Sequence, residues 1–257
     1  MLAILYLPCP KSYKMSAAII GNLPQGKILV TDGMVASTAN VTSHRDCKLK
    51  DKIFTGSTIH GYYSLVGDET ILYGIQFLDA WSLQNGMHFD FTDEASLKLA
   101  LAAAEKIIQV YKHIGDIKND CLYPDLSYVY MISDQKVINY YISRHDNKYR
   151  IERCKLINDN EIILNYGGHI HAVSALIFQN VAPADCIDVA ANYLQQHHAQ
   201  SVARSKPHLQ YEFDNRFCGV LIPGEGKDFT KLPFRTFDEY IITMCGGGWD
   251  LMDSPPF

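Results

Sequence analysis

Short apolar runs in the first part of the chain predict strands. Two of them, Ser16–Gly21 and Lys27–Asp32, are separated by Asn22–Gly26, a segment of turn-forming residues. The two runs are therefore expected to pair as a hairpin. Lys52–Phe54 and Ile59–Val66 are predicted as two further strands of the same block.

Helical periodicity follows this strand block. Apolar residues in Asp68–Leu83 and in Asp93–Ile114 recur at three- and four-residue spacing, which is typical of helices that bury one face. Thr92 is placed to cap the second helix and Gly115 to end it. We therefore expect two helices that pack on a sheet.

The second half of the chain repeats this order. Four strands are predicted, at Ser127–Ser133, Lys136–Arg144, Tyr149–Leu156 and Ile162–Asn165. Tight turns are predicted at Asp134-Gln135 and Asp146-Asn147. Two helices and a last strand are expected after them, at Gly168–Gln179, Ala184–Arg204 and Phe217–Ile222.

This order of elements predicts the α+β class. Hairpins give antiparallel sheets, and helix pairs need a sheet face, so two stacked sheets with helices outside would form a four-layer αββα sandwich. Periodicity alone does not choose this sandwich over other α+β layouts. We expect an N-terminal extension or propeptide (1–15), one domain (16–222) and a C-terminal tail (223–257), where the pattern decays.

Composition narrows the function classes. The chain has 257 residues, of which 47% are hydrophobic and 20% charged, as in ordinary globular proteins. A net charge of −5 without any long basic run argues against nucleic-acid or anionic-membrane binding. No apolar run reaches the roughly 18 residues of a membrane span. Seven scattered cysteines, without a Cys-x-x-Cys pair, indicate reduced thiols and a cytoplasmic protein.

Three chemically distinctive residues are evenly spaced. Ser16, Asp32 and Lys48 follow one another at intervals of sixteen residues. This arrangement resembles proteasome β-subunits and the bacterial HslV peptidase, which are N-terminal-nucleophile hydrolases. In that family a nucleophile opens the first strand, and an aspartate and a lysine follow at this spacing.

Further segments carry the same resemblance, in the same order and over roughly residues 16–222. They are Ile28–Gly33, Tyr62–Gly67, Tyr166–Gly168, Asp185–Ala190 and Phe217–Ile222. Each motif alone is weak, and their order and spacing together are more specific. The resemblance implies the αββα sandwich, a peptide or protein substrate, a homo-oligomeric ring, and no cofactor or metal.

The resemblance implies amide hydrolysis. A free α-amino group titrates near 7.7–8.0, so the amine of Ser16 could take the proton of its own hydroxyl. The resemblance implies that Lys48 favours the alkoxide, that Asp32 holds Lys48, and that the Gly67 N–H stabilises the oxyanion. Lacking a Cβ, Gly67 is also expected to let a substrate backbone come close. Asp214 is the remaining candidate, in a supporting role.

The mechanism requires Ser16 to be the first residue, and fifteen residues precede it. Either a propeptide is removed, or Met15 is the start and is cleaved off before the small residue Ser16. Left in place, the segment would convert the catalytic amine into an amide.

Several positions depart from the family pattern. Serine replaces the usual threonine nucleophile, and Tyr166 stands where the family has a supporting serine. The later Asp-x-x-Ser-Gly pattern becomes Asp214 to Gly219, one residue longer and with Cys218 for serine. The segment from Lys48 to Gly67 is also longer than in the family.

Other interpretations remain open at this point. A catalytically inactive proteasome-like structural or assembly subunit is the main alternative, and an unrelated α+β binding domain is the third. His169-Ile-His171 and His197-His198 are interpreted as surface or core histidines, because no cysteine or carboxylate accompanies them at metal-ligand spacing.

Overall fold

A computed structural model describes most of the region 17–236. The described residues are 17–32, 34–36, 47–49, 52–56, 61–68, 70–87, 93–114, 126–204, 217–224 and 235–236. Within them the chain forms a mixed α+β fold with two large antiparallel sheets, a small two-stranded sheet and three α-helices.

The first large sheet has six strands in the order β11-β10-β1-β2-β12-β13. Their bounds are Ala17–Leu23 (β1), Gly26–Asp32 (β2), Ile162–Tyr166 (β10), His169–Val173 (β11), Phe217–Pro223 (β12) and Arg235–Thr236 (β13). The predicted hairpin is confirmed as β1 and β2, with Leu23 opposite Gly26 and a turn of two residues, Pro24-Gln25. Strand β13 lies within the segment that we predicted to be a tail.

The second large sheet has five strands in chain order, β5-β6-β7-β8-β9. Their bounds are Ile53–Phe54 (β5), Tyr62–Val66 (β6), Leu126–Ile132 (β7), Val137–His145 (β8) and Lys148–Leu156 (β9). The predicted strands and both tight turns are confirmed here, and Asp146 and Asn147 adopt positive φ angles. The small sheet pairs Met34–Ala36 (β3) with Cys47–Leu49 (β4), which the sequence did not predict.

Three helices are described: Thr70–Gln84 (α1), Glu94–Ile114 (α2) and Cys186–Arg204 (α3). All three were predicted, and α3 follows a short 3₁₀ turn at Pro183–Asp185. Among the described residues, none of the helices is long and apolar enough to cross a membrane.

The predicted helix at Gly168–Gln179 is wrong. Gly167 and Gly168 adopt positive φ angles of 57° and 83° and reverse the chain, so that β11 pairs with β10. Only Ala175–Phe178 forms a single 3₁₀ turn, capped by the Ser174 side chain. A short apolar run does not distinguish a strand from a helix, and pairing with β10 decided the outcome.

Three buried apolar clusters hold the elements together. The first lies between α3 and one face of the six-stranded sheet, with Ile19, Val30 and Leu194 among its members. The second joins the two large sheets, with Ile20 on one and Val66 on the other. The third packs α1 and α2 on the five-stranded sheet. These contacts bury both faces of β1 and β2 in the first sheet and of β7 in the second.

Candidate active site

Strand register brings four strand ends, and with them the predicted site residue Asp32, to one end of the six-stranded sheet. Ala18 pairs with Thr31, so the beginning of β1 lies beside the end of β2. Tyr166, the last residue of β10, pairs with Ala17 on the other side of β1. Phe217, the first residue of β12, pairs with Asp32. Four strand ends therefore meet where the chain enters β1.

Asp32 is the centre of this region and is fully buried. Its Oδ1 accepts a hydrogen bond of 2.8 Å from the backbone N–H of Ala17. The ammonium of Lys52 lies 3.0 Å from each of its carboxylate oxygens. A buried carboxylate needs such partners, because burial removes the water that would otherwise solvate its charge.

Lys52 is buried as well, with a side-chain exposure of 8%. It lies immediately before β5, so it reaches Asp32 from the edge of the five-stranded sheet. Removing one member of a buried ion pair typically costs about 3–5 kcal/mol, since the other charge is left without a partner. The pair thus links the two large sheets at the entry to β1.

The sequence analysis assigned the lysine beside Asp32 to Lys48, and the ion pair identifies Lys52. Lys48 lies in β4, opposite Val35, and its side chain is outside the described residues. Its catalytic role therefore stays a prediction. The sequence carries opposing signals for Lys52, because it lies four residues nearer to Gly67 than Lys48 does but also four residues farther from Asp32.

Cys218 lies against the same pair and is also buried. Its Sγ is 3.0 Å from the Thr31 hydroxyl oxygen and 3.4 Å from the backbone nitrogen of Lys52. At this distance from Lys52 it takes part in holding the segment that carries the ammonium.

Gly67 follows the last residue of β6, and its φ angle of +128° suits glycine. A Cβ at this position would lie 2.4 Å from the Oγ of Ser127 and 2.8 Å from the Cα of Ser127. The space that we expected a substrate backbone to use is thus filled by β7. Since β5 runs antiparallel to β6, Lys52 and Gly67 lie at the same end of this strand pair.

Two predicted site residues lie outside the described residues: Ser16 and Asp214. Ser16 immediately precedes Ala17, so the peptide nitrogen that joins the two is the one that donates to Asp32. The structure thus brings together Asp32 and Lys52, with Ala17 as the neighbour of the predicted nucleophile. It says nothing of the Ser16 hydroxyl.

Tyr166 borders this region and contacts histidines of α3. Its hydroxyl lies 2.6 Å from Nδ1 of His198, and its ring packs edge-on against His197 at 4.9 Å. His197 and His198 thus both contact the Tyr166 side chain. In the described part of the chain, no group of three or more potential metal-ligating side chains was found.

Burial, and then the nearby His197, lower the pKa of His198 to about 4. The folded state thus favours neutral His198, whereas an unfolded histidine titrates near 6.5. Between these two values the unfolded chain binds more protons than the folded chain, so stability must fall as the pH drops from about 6.5 toward 4.

We expect His198→Gln to flatten the pH dependence of thermal unfolding in this window. Glutamine keeps a polar side chain near Tyr166 but does not titrate. Melting temperatures of the wild type and the variant, measured at intervals from pH 7 to 4, provide the comparison. An equal decline of both proteins would contradict the prediction, since carboxylates titrate in both and only His198 differs.

Comparisons with known proteins complete the description of this site. No family model matches the chain, and no curated protein matches it. Among solved structures it is similar to Anbu, described as an ancestral beta-subunit, from Yersinia bercovieri, with 11% identity, a TM-score of 0.43, and coverage of 89% of this chain and 90% of that chain.

Two further similar structures come from Hyphomicrobium sp. strain MC1. One is a Gly-1 mutant of Anbu, with 11% identity, a TM-score of 0.41, and coverage of 89% of this chain and 91% of that chain. The other is Anbu itself, with 12% identity, a TM-score of 0.35, and coverage of 88% and 90%.

Proposed function

We propose that this chain is a proteasome-like N-terminal-nucleophile hydrolase that cleaves peptide amide bonds through Ser16. The buried triangle of Ala17, Asp32 and Lys52 carries the proposal. Asp32 accepts a hydrogen bond from the peptide nitrogen that follows Ser16, and the buried Lys52 ammonium pairs with the same carboxylate. An ammonium at this position is what a serine that attacks with its own amine requires.

The proposal includes a four-layer αββα sandwich. Support comes from the three buried clusters, which lie between α3 and the first sheet, between the two sheets, and between the second sheet and the pair α1 and α2. In this arrangement the entry to β1 lies at one end of the six-stranded sheet, and Lys52 reaches it from the five-stranded sheet. Residues of either sheet can therefore take part in chemistry there.

The first chemical step would form an acyl-enzyme. The Ser16 hydroxyl oxygen attacks the substrate carbonyl carbon, and its proton passes to the free α-amino group of the same residue. The resulting ammonium gives a proton to the leaving amine as the C–N bond breaks. A water molecule then attacks the ester, with the α-amino group as base, and releases the acid and the Ser16 hydroxyl.

Lys52 takes the role that the sequence analysis gave to Lys48. A positive charge near Ser16 favours the developing alkoxide and keeps the pKa of the neighbouring amine low, so that the amine is free to accept a proton. Asp32 holds the lysine by both oxygens and, through Ala17, also holds the chain that leads to Ser16. The N–H of Gly67 is the proposed donor to the oxyanion.

A catalytically inactive structural subunit is the second candidate. The same triangle favours it, because a buried ion pair between two sheets can fix their relative position without any chemistry. The two candidates differ in what they require of the N-terminus: the hydrolase needs a free amine on Ser16, and the structural subunit does not.

N-terminal sequencing and the intact mass of the protein from its native source test this requirement. The hydrolase proposal predicts that the mature chain begins at Ser16. A stable mature chain that retains Met1–Met15 would contradict it, because the amine would then be part of a peptide bond and could not act as a base at neutral pH.

A further inference from the structure

Asp68, the residue directly after Gly67, is a second buried carboxylate with more partners than its place in the chain requires. It lies two residues before α1, and its Oδ1 accepts a 2.9 Å hydrogen bond from the N–H of Thr70. That bond alone would satisfy an orphan donor at the start of the helix. The other oxygen, Oδ2, is bound separately.

Two side chains from β8 and β9 of the five-stranded sheet bind Oδ2. The Arg144 guanidinium donates to it at 2.7 Å from the end of β8. The Tyr149 hydroxyl donates to it at 2.6 Å from the beginning of β9. Burial, and then the Asp68 carboxylate, raise the pKa of Tyr149 far above its usual value, so the hydroxyl keeps its proton and remains a donor.

The backbone of Asp68 is held as firmly as its side chain. Its N–H donates to the Ser127 hydroxyl of β7 at 2.9 Å. The same Ser127 fills the space beside Gly67, where an ideal Cβ would lie within 2.8 Å of three of its atoms. Ser127 therefore packs against Gly67 and holds the peptide unit that follows it, and the bound carboxylate anchors the next residue, Asp68.

This anchoring exceeds what helix capping needs. A serine or asparagine cap is neutral and satisfies the same helix donor without burying a charge. Burying an aspartate and an arginine together carries a desolvation penalty that the pair only partly recovers. Here Asp68 is fully buried and the Arg144 side chain is 9% exposed. The arrangement therefore points to a requirement for fixed geometry at Gly67-Asp68 rather than for helix stability.

We propose that Asp68, held by Arg144 and Tyr149, is a positioning residue that fixes the conformation of Gly67 and so aims the Gly67 N–H, in the preceding peptide unit, as an oxyanion donor. The inference rests on the proposed function, in which the Gly67 N–H binds the tetrahedral intermediate. Such donors act only when they are aimed before the reaction, and a displacement of 1 Å can lower a rate by about 10²-fold. Asp68 itself touches no reacting atom and acts through Gly67.

The test uses protein that begins at Ser16 and two peptide probes of the same sequence. One ends in an aldehyde, which serine attacks to form a tetrahedral adduct with an oxyanion. The other ends in a carboxamide and measures binding without an adduct. We expect Asp68→Asn and Tyr149→Phe to weaken binding of the aldehyde by about ten- to a hundredfold. Binding of the carboxamide should stay unchanged.

Tyr140→Phe is the matched control. Tyr140 packs in the same apolar cluster as Tyr149 and also loses a buried hydroxyl, but it does not bind Asp68. If Tyr149→Phe and Tyr140→Phe weaken binding of the aldehyde equally, the proposed positioning role of Asp68 is overturned. Melting temperatures show whether each variant is folded, and Tyr149→Phe keeps the test open if Asp68→Asn does not fold.

The wild-type protein separates this inference from the proposed function. If the Ser16-start wild type binds the carboxamide but forms no aldehyde adduct, the hydrolase proposal fails and the role of Asp68 fails with it. If the wild type forms the adduct and all three variants match it, only the positioning role is wrong. Selective loss of aldehyde binding in Asp68→Asn and Tyr149→Phe supports both the hydrolase proposal and the positioning role of Asp68.

Discussion

Lys52→Met is expected to lower the rate of Ser16 acylation by about 10²–10³-fold, the usual loss when one preorganised electrostatic contact to a transition state is removed. Methionine has a similar length and no charge, so the substitution removes the ammonium that lies 3.0 Å from each oxygen of Asp32. The rate is measured with an electrophilic peptide on protein that begins at Ser16.

Stability must be separated from chemistry in this experiment. Lys52→Met leaves Asp32 buried without its ion-pair partner, and such losses cost about 3–5 kcal/mol. The double variant Asp32→Asn with Lys52→Met removes both charges and should recover part of that stability. It should still acylate slowly, because the ammonium is absent. A double variant that regains both stability and rate would show that the pair is only structural.

Lys48→Met is the matched control, because it removes the same group four residues earlier. The ion pair assigns the catalytic charge to Lys52, so Lys48→Met is expected to acylate at nearly the wild-type rate. If instead Lys48→Met loses the rate and Lys52→Met keeps it, the assignment from sequence spacing is right and the assignment from the ion pair is wrong.

The state of the N-terminus is expected to have the largest effect of all. Protein that begins at Ser16 should hydrolyse a peptide amide, whereas the 257-residue form should show no activity. The reason is that an acylated amine has no basic lone pair for the hydroxyl proton. Ser16→Ala in the short form should abolish acylation, since removing a catalytic nucleophile can lower turnover by about 10⁶-fold.

Ser16→Thr supplies the control for the short form. Threonine keeps both the hydroxyl and the α-amino group and is the nucleophile of the resembled family, so activity should persist. Equal activity of the short form and its Ser16→Ala variant would contradict the mechanism. It would mean that any hydrolysis comes from another group or from a contaminant.

Local patterns were enough to predict much of the fold. The β1–β2 hairpin, the turns at Asp134-Gln135 and Asp146-Asn147, and the helices α1, α2 and α3 depend on the order of apolar and turn-forming residues within each segment. Such signals are local, so a single sequence contains them. The α+β class followed from their order along the chain.

Contacts between distant segments could not be predicted in the same way. The apolar run around Ile170 reads as a helix, and only its pairing with β10 makes it strand β11. Lys52 reaches Asp32 across two sheets, and nothing within the Lys48, Lys50 and Lys52 run distinguishes one lysine from another. The length of the segment up to Gly67 favours Lys52, whereas the sixteen-residue interval from Asp32 favours Lys48. The sequence therefore does not decide between them.

Gly67 was singled out from the sequence as an oxyanion donor whose missing Cβ would let a substrate approach, and its role as a donor stays a prediction. The structure requires a glycine because φ is +128° and Ser127 occupies the position of a Cβ. Its N–H remains the proposed oxyanion donor, and the network through Asp68 was not visible in the sequence because Arg144 and Tyr149 are more than seventy residues away.

Mass-spectrometric mapping of a covalent adduct tests the central claim most directly. Folded protein that begins at Ser16 is incubated with an excess of an electrophilic peptide, digested, and searched for the modified residue. The account predicts one equivalent of label, on Ser16, and none on the form that retains Met1–Met15. A correctly folded Ser16-start protein that stays unlabelled, or is labelled elsewhere, would contradict the hydrolase proposal and favour a structural subunit.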